Sequence, residues 1–193
     1  RPVGLALGRC FFTVAAFHMS TVKTFTAGAL PVRVYASQAE LSSDVAQLVR
    51  DHFAATIARQ GSAAAIMATG NSQIQFLDKL VALGGVDWSK VTLFHMDEYL
   101  GIGADHPASF RRYMRERVAS RVRPGHFHFL EGDVDLPLDE CARYSALLKA
   151  QPIDLCCMGV GENGHIAFND PPVARFDDAH FVKLVKLDDA CKW

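Results

Sequence analysis

Short apolar runs alternate along the chain with longer segments in which apolar residues recur every three or four positions. The longer segments have the periodicity of helices that bury one face. A regular succession of strands and helices predicts an α/β fold with a parallel, doubly wound sheet in a single domain. The predicted strands lie at residues 32–35, 63–68, 91–96, 126–130, 153–160 and 181–187.

Polar and turn-forming residues mark where several of these elements begin. Ser37-x-x-Glu40 has the form of a capping box and predicts the start of the first helix. Pro107 suits the first turn of a helix that we expect to run to about Ser120. The run at 153–160 is the most apolar and predicts a central strand. Alternating apolar and basic residues at 181–187 predict a partly exposed strand.

Composition and charge exclude several classes of partner. The 193 residues include 20 Lys and Arg and 21 Asp and Glu, which gives a formal net charge of −1. This balance provides no broad field for nucleic acid or an anionic membrane, although local donors can still hold a small anion. No apolar run approaches the about 18–20 residues that span a bilayer. The five cysteines form no C-x-x-C pair, which favours reduced thiols and a cytoplasmic location.

The first residues of the chain differ in character from the rest. Residues 1–18 begin without Met, and Gly8, Arg9 and Cys10 interrupt the apolar stretch that a signal peptide requires. We therefore interpret residues 1–18 as a disordered upstream extension and Met19 as the natural start. The α/β domain is expected to occupy residues 19–193.

Three of the predicted strands end in small or polar residues. The first is followed by Thr69-Gly70-Asn71-Ser72, the second by Asp97-Glu98, and the third by residues 161–165 (GENGH). In open α/β sheets, ligands bind at the carboxyl ends of the strands, near the point where the strand order reverses. We therefore expect these three loops to converge on one cleft.

The segment Thr69–Ser72 leads from a strand into a helix. Free backbone N–H groups and the helix dipole favour an anion at such a position, and the hydroxyls of Thr69 and Ser72 can add donors to a phosphate. An ordinary strand–helix turn, with Asn71 or Ser72 as the N-cap, explains the same residues. Both interpretations stay open on these four residues.

Asp97 and Glu98 place two carboxylates directly after an apolar strand. Because side chains alternate in direction along an extended chain, one carboxylate can face the cleft while the other anchors a neighbour. A partly desolvated carboxylate has a raised pKa and can act as a base toward a carbon-bound proton. The alternative is a pair of solvated acids at an exposed turn.

Residues 159–164 (GVGENG) match the G-x-G-x-x-G pattern of dinucleotide sites. That site needs a helix immediately after the glycines, and Pro171-Pro172 shortens any helix here to about one turn. We therefore predict no nucleotide cofactor. What remains is a glycine-permitted turn in which a histidine lies among acids and can move protons near neutral pH. Its polar residues are Glu162, Asn163, His165, Asn169 and Asp170.

The other histidines give a weaker signal. His126 and His128 lie on the same face of a predicted strand, but no third ligand accompanies them, so we predict no metal site.

Two long motifs resemble glucosamine-6-phosphate deaminases. Residues 94–99 (FHMDEY) and 106–110 (HPASF) resemble the F-x-M-D-E-Y and H-P-x-S-[YF] motifs of that family. Residues 159–171 (GVGENGHIAFNDP) resemble its G-x-G-x-x-G-H-I-A-F-N-[ED]-P signature, and Thr69-Gly70 lies where the family has a T-G-G phosphate turn. The resemblance implies a Rossmann-like fold, shared with phosphogluconolactonases and ribose-phosphate isomerases, with helices on both faces of the sheet.

The same resemblance implies the conversion of an amino sugar phosphate to a ketose phosphate and ammonia, without a metal or cofactor. Asp97 would move a proton between C2 and C1. His165 would assist ring opening and would be oriented by Asp170. By resemblance, the phosphate and sugar would be bound through Thr69, Gly70, Asn71, Ser72, Glu98 and Gly164.

Several positions depart from the family pattern. Asn71 replaces the second glycine of the phosphate turn, and Asp170 replaces the commoner Glu. Asn163 stands where many members have an aspartate beside the catalytic histidine, and the neighbouring Glu162 is the candidate substitute. Family members also continue beyond Cys191, so we expect an incomplete domain with weak or no activity.

Two other functions compete with the deaminase. A phosphogluconolactonase also has a glycine-rich G-H turn but lacks the M-D-E-Y residues. A non-catalytic sugar-phosphate sensor would explain Asn163 and the early end of the chain. We expect a small-molecule sugar phosphate as the partner, with no nucleic acid or membrane, and the oligomeric state stays open to a homo-oligomer.

Overall fold

A computed structural model describes residues 23–187 of the chain. The expectations for residues 1–18, for Met19 as the start and for the thiols of Cys10 and Cys191 lie outside the described residues. The described chain forms two compact units, one of residues up to Ser37 and one from Gln38 onward. The single-domain organisation stays a prediction.

The first unit contains a β-hairpin. Strand β1 (Lys23–Ala27) pairs antiparallel with β2 (Leu30–Val34), and Gly28 turns the chain at a φ of 61°. The strand predicted at 32–35 is therefore confirmed as a strand over most of its length. Its partner is the preceding strand, which the periodicity could not indicate because pairing depends on the turn between the strands.

The second unit begins with helix α1 and continues as alternating strands and helices. The boundaries are α1 (Gln38–Gln60), β3 (Ala63–Met67), α2 (Asn71–Leu83), a 3₁₀ turn (Trp88–Lys90), β4 (Val91–His95), α3 (Phe110–Met114), a π-helical turn (Arg115–Ala119), α4 (Ser120–Val122), β5 (His126–His128), α5 (Pro137–Lys149) and β6 (Leu155–Cys157). Within these described residues, no helix combines the length and apolarity that crossing a membrane requires.

The four strands of this unit form a parallel sheet in the order β5-β4-β3-β6. Met67, the last residue of β3, is in register with His95 of β4 and with Cys157 of β6. The carboxyl ends of these three strands therefore lie side by side at one edge of the sheet. The parallel pairing confirms the predicted α/β class.

Helices cover both faces of the sheet. One face buries Ala65, Met67 and Leu93 against Phe53 of α1 and Leu77 of α2. On the other face, the ring of Phe94 contacts Tyr144 of α5 edge-on, with ring centroids 5.7 Å apart. Because successive side chains in a strand point to opposite faces, burial at both Leu93 and Phe94 requires a layer on each side. This is the doubly wound arrangement.

The most apolar run is not a central strand in this structure. Only residues 155–157 of the predicted 153–160 are extended, and among the described strands β6 pairs with β3 alone. An apolar run reports that side chains are buried, but the order of strands in the sheet depends on the crossover connections. Residues 181–187 are irregular, so the strand predicted there is wrong. Alternation shows only which face a segment could bury, whereas a strand also requires backbone pairing with another strand.

The helix expected from Pro107 begins later. Ser109 is the N-cap, and its hydroxyl accepts a hydrogen bond from the backbone N–H of Arg112 at 3.4 Å. The helical run continues through a π-helical turn to Val122. Pro107 thus lies in the preceding loop, because the hydroxyl that can cap the helix comes two residues later.

Candidate functional site

The three loops predicted to converge lie at the carboxyl edge of the sheet. The loop after β3 runs between the other two, since β3 pairs with both β4 and β6. Two of the loops lie close together at Gly159, which follows β6. A Cβ atom added to Gly159 would lie 3.4 Å from the hydroxyl of Ser72 in α2. The glycine-rich loop after β6 therefore approaches the first turn of α2.

The turn after β3 leaves the N-terminus of α2 without a side-chain cap. Gly70 is the N-cap, with φ 106° and ψ 169°, a conformation that only glycine adopts at low cost. Its carbonyl accepts hydrogen bonds from the N–H of Gln73 at 3.1 Å and the Tyr113 hydroxyl at 3.0 Å. The alternative of an Asn71 or Ser72 cap is therefore wrong, and both residues are exposed. Uncapped N–H groups at a helix start favour an anion.

Asp97 is a half-buried residue at the end of β4. Its Oδ1 atom is fully buried and makes no hydrogen bond within the described part of the chain. Burial, and secondarily the negative charge of Glu98, raises the pKa of the Asp97 carboxyl to about 7. A carboxyl with this pKa exchanges a proton at neutral pH, as a general base must.

Glu98 is held by protein donors on both oxygens. Its side chain is 2% exposed. Oε1 accepts the N–H groups of Tyr99 and Phe110 at 2.9 and 3.0 Å, while Oε2 accepts the Ser109 hydroxyl and the Arg111 N–H, both at 2.9 Å. The Arg111 Nε lies 3.5 Å from Oε2. Of the two carboxylates, Asp97 thus has the free oxygen and Glu98 anchors neighbouring backbone.

The loop that carries Asp97 is also fixed from a second side. The Gly101 N–H donates to the Gly132 carbonyl at 2.6 Å, and a Cβ at Gly132 would overlap the carbonyl oxygen of Tyr99. The Tyr99 ring lies 5.1 Å from the ring of Phe168, centroid to centroid, which connects this loop to the glycine-rich signature. These contacts fix the backbone of the loop that carries Asp97.

His165 forms a hydrogen-bonded cluster with Asn163 and Asp170. Its Nδ1 lies 2.7 Å from Asn163 Oδ1 and 3.1 Å from Asp170 Oδ1, and the Asn163 amide donates to the same Asp170 oxygen at 2.9 Å. Both partners of Nδ1 are acceptors, so Nδ1 carries the proton of the neutral ring. Nε2 is therefore the basic nitrogen of His165.

Other residues of the signature adapt its backbone to this cluster. A Cβ at Gly161 would overlap the imidazole of His165, so only glycine allows the ring to lie where it does. Gly164 has a φ of 85° and Ala167 a φ of 56°. Glu162 is exposed, and the Nδ1 contacts described above are made by Asn163 and Asp170 instead. The expectation that Glu162 replaces the missing acid therefore lacks a geometric basis.

A cavity of about 830 Å³ lies against the Asp97 loop. Its walls include Asp97, Glu98, Gly164 and residues 166–169, together with α5 and residues 174–187. The structure thus brings the proposed base and the second half of the signature to one space. Thr69, Ser72 and His165 are not among its walls.

The G-x-G-x-x-G motif and the two histidines of β5 adopt the following arrangement. Residues 164–169 form turns with a single bridge between Ile166 and Asn169, and no helix follows the glycines. The rings of His126 and His128 stack with centroids 5.9 Å apart. Within residues 23–187, no group of three metal-binding side chains occurs.

Some contacts at this site join residues that lie far apart in the sequence. Tyr113 reaches the Gly70 carbonyl from a helix 43 residues later, and the Tyr144 hydroxyl bridges the backbone of His95 and His128. The anchoring of Glu98 at the start of α3 has one signal in the sequence, which is Ser109. A serine before an amphipathic run is a typical N-cap and therefore indicates where the helix begins.

Comparison with known proteins identifies the family of this chain. A profile of the family described as glucosamine-6-phosphate isomerases/6-phosphogluconolactonase matches residues 36–181. Glucosamine-6-phosphate deaminase 2 of Giardia intestinalis is 38% identical over 151 residues, which cover 75% of this chain and 57% of the relative. Glucosamine-6-phosphate deaminase 2 of Bacillus subtilis (strain 168) is 35% identical over 130 residues, which cover 64% of this chain and 51% of the relative.

Solved structures extend the comparison to the fold. A monomeric glucosamine-6-phosphate deaminase of the NagB superfamily matches with a TM-score of 0.64 and 30% identity, covering 70% of this chain and 57% of that one. A 6-phosphogluconolactonase from Shewanella baltica matches with a TM-score of 0.61 and 22% identity, covering 67% of this chain and 56% of that one. The second likeness concerns the fold alone. Together they confirm the Rossmann-like architecture.

The chain spans about half the length of the curated relatives it matches. The matched residues, 36–181, nevertheless include the parallel sheet and all three loops at its carboxyl edge. The chain therefore belongs to the family of glucosamine-6-phosphate isomerases and 6-phosphogluconolactonases.

Proposed function

We propose that this chain acts in the conversion of glucosamine 6-phosphate and water to fructose 6-phosphate and ammonia. The observation that carries the proposal is the Asp97 carboxyl, which is buried at Oδ1, lacks a hydrogen-bond partner there in the described chain, and has a pKa of about 7. An aldose–ketose isomerisation needs a base of this kind to move a carbon-bound proton. The curated relatives carry the deaminase name.

Ring opening is the proposed task of His165. To open the pyranose, the C1–O5 bond breaks while a proton leaves the C1 hydroxyl and another reaches O5. With Nδ1 protonated and facing Asn163 and Asp170, Nε2 is the basic nitrogen that can accept one proton and return it. The buried Asp170 stabilises the imidazolium that forms in between.

Isomerisation and deamination follow at Asp97. The ionised carboxylate removes the C2 proton of the open-chain aldehyde and returns it to C1. One proton also passes from the C2 amino group to the C1 oxygen, so the double bond moves from the C1 carbonyl through an enol-amine to an imine at C2. Water then adds to the imine, and ammonia leaves to give the ketose. Asp97 regains its ionised form when it delivers the proton, and the sequence consumes one water and no reductant.

Phosphate binding is the proposed role of the turn after β3. The uncapped N-terminus of α2 offers backbone N–H donors, and Thr69 and Ser72 add hydroxyls. Asn71 at this turn exposes its side chain, so it leaves room for an anion at the backbone. The cytoplasmic location and the homo-oligomer stay predictions.

The test is ammonia release, measured together with fructose 6-phosphate formation, for the chain and for Asp97→Asn. The substitution should reduce turnover by at least about a thousandfold, because the amide cannot accept the proton. Asp135→Asn serves as a matched control, since Asp135 is exposed on another loop. Far-UV circular dichroism should show that both variants keep the fold.

The competing functions predict different results in the same assay. A phosphogluconolactonase would hydrolyse 6-phosphogluconolactone and release no ammonia from the amino sugar. A sensor would bind the sugar phosphate without turnover, and Asp97→Asn would not alter that binding. Either result would contradict the deaminase proposal.

A further inference from the structure

The buried carboxylate beside the proposed base has no role in the chemistry described above. Glu98 shares its oxygens among four protein donors, contributed by Tyr99, Ser109, Phe110 and Arg111. Two of these donors are the first N–H groups of α3, which a helix cannot satisfy internally. The carboxylate therefore joins the end of β4 to the start of α3.

A second charge completes this junction. Arg111 is also buried, with 9% of its side chain exposed, and its guanidinium contacts three partners. Besides Glu98, it donates to the Ile102 carbonyl at 2.8 Å and pairs with Asp133 Oδ1 at 2.8 Å. Glu98 and Arg111 thus bind together the loop after β4, the first turn of α3 and the loop after β5.

We propose that Glu98 is a positioning residue that fixes the Asp97 loop to α3 and places a buried negative charge beside the base, without contacting the substrate. The proposal rests on the function proposed above for Asp97. It replaces the role in sugar binding that the family resemblance implied for Glu98. A carboxylate with both oxygens occupied by backbone and side-chain donors has little capacity left for a sugar hydroxyl.

The charge of Glu98 acts directly on Asp97, because like charges disfavour ionisation. The other groups around the pair come from β4, α5 and α3. Burial lowers the pKa of His95 to about 3, so its ring is neutral at working pH. Burial raises the pKa of Tyr144 above its ordinary range, so it is neutral as well. Arg111 is the cation of this group and faces Glu98.

The experiment uses readouts that do not require turnover. Carboxyl ¹³C chemical shifts give the titration midpoint of Asp97, amide hydrogen exchange reports the anchor, and calorimetry measures fructose 6-phosphate binding. In Glu98→Gln, the Asp97 midpoint should move down by roughly 0.5–1 unit, because a like charge is removed. Exchange at the Phe110 and Arg111 amides should accelerate at least about tenfold, and the affinity should change less than about threefold.

Three further variants separate charge from anchoring. Glu98→Asp keeps the charge but shortens the side chain, so it should restore the Asp97 midpoint without restoring the exchange rates. Ser109→Ala removes one donor and keeps the charge, so it should raise exchange at Arg111 and leave the midpoint unchanged. If Glu98→Gln does not fold, Ser109→Ala still tests the anchor. Glu131→Gln, on an exposed carboxylate of the same cavity, is the matched control.

Each contrary result identifies a different error. A loss of fructose 6-phosphate affinity of tenfold or more with an unchanged midpoint would make Glu98 a substrate contact. A lower melting temperature with unchanged midpoint and exchange would make its role purely structural. Absence of ammonia release, with the midpoint still shifting in Glu98→Gln, would overturn the proposed function and leave the positioning role standing.

Discussion

Residues of the same chemical type acquire different properties at this site from their immediate contacts. Asp97 and Glu98 are neighbours in sequence, yet one has a buried oxygen without a partner in the described chain and the other accepts four hydrogen bonds. The sequence predicted that the two side chains would diverge, because directions alternate along an extended chain. Which carboxylate keeps an oxygen without a protein donor in the described chain was decided by the donors at the start of α3.

The environment of His165 depends on a glycine four residues earlier. A Cβ at Gly161 would overlap the imidazole, so Gly161→Ala should displace the ring from Asn163 and Asp170. We expect ammonia release to fall by at least about a hundredfold, since misplacing a catalytic group by about 1 Å has such an effect. Steady-state kinetics of the single variant provide the measurement.

A double-mutant cycle shows whether this effect passes through the histidine. If it does, Gly161→Ala combined with His165→Gln should be no slower than His165→Gln alone. Additive losses would mean that Gly161 matters for a different reason, such as the path of the loop.

Elements of the sheet are connected to the helices by a few buried hydrogen bonds. The Tyr144 hydroxyl on α5 donates toward the carbonyls of His95 and His128, at 2.9 and 3.1 Å, and accepts the His95 N–H at 3.0 Å. Tyr144 is 2% exposed and His95 is 1% exposed, so the hydroxyl and the His95 backbone groups are shielded from water. One side chain thus fixes α5 against the ends of β4 and β5.

Tyr144→Phe should therefore lower the free energy of unfolding. The substitution keeps the ring but leaves the buried His95 N–H without its partner, which costs about 1–3 kcal/mol. Tyr113→Phe is the matched control, because its hydroxyl bonds the exposed turn residue Gly70 and its loss should cost less than about 1 kcal/mol. Urea denaturation of both variants makes the comparison, and equal losses would refute this ranking.

The raised pKa of Asp97 lowers the free energy of unfolding of the whole molecule at neutral pH. Folding raises the pKa of Asp97 from its ordinary value of 3.8 to about 7. Between these values the native chain holds a proton that the unfolded chain releases. The resulting stabilisation is complete below the lower value and is lost as pH rises through the upper one.

Asp97→Asn should remove this pH dependence. At pH 8 the variant should exceed the unsubstituted chain in unfolding free energy by about 1–4 kcal/mol, and the difference should shrink at pH 5. Guanidinium denaturation at the two pH values measures this difference. Parallel stability curves between pH 5 and 8 would show that burial does not raise the pKa of this carboxyl.

Much of the fold could be predicted from the sequence, but the pairing of the strands could not. Periodicity located β3, β4, β5 and the helices because each element buries one face or both. It also predicted a central strand at residues 153–160 and a further strand at residues 181–187, and both predictions were wrong. Strand order and strand pairing arise from contacts between distant segments, which local periodicity does not record.

The sequence by itself determined the fold class, the three loops at the carboxyl edge and the candidates Asp97 and His165. These follow from local rules, since periodicity, glycine, proline and motif spacing act over a few neighbouring residues. Tertiary structure decided that Glu98 anchors α3, that Gly70 caps α2 and that Asn163 and Asp170 fix the tautomer of His165. Burial and hydrogen bonding depend on residues brought together only by folding, and they distinguish a base from an ordinary carboxylate.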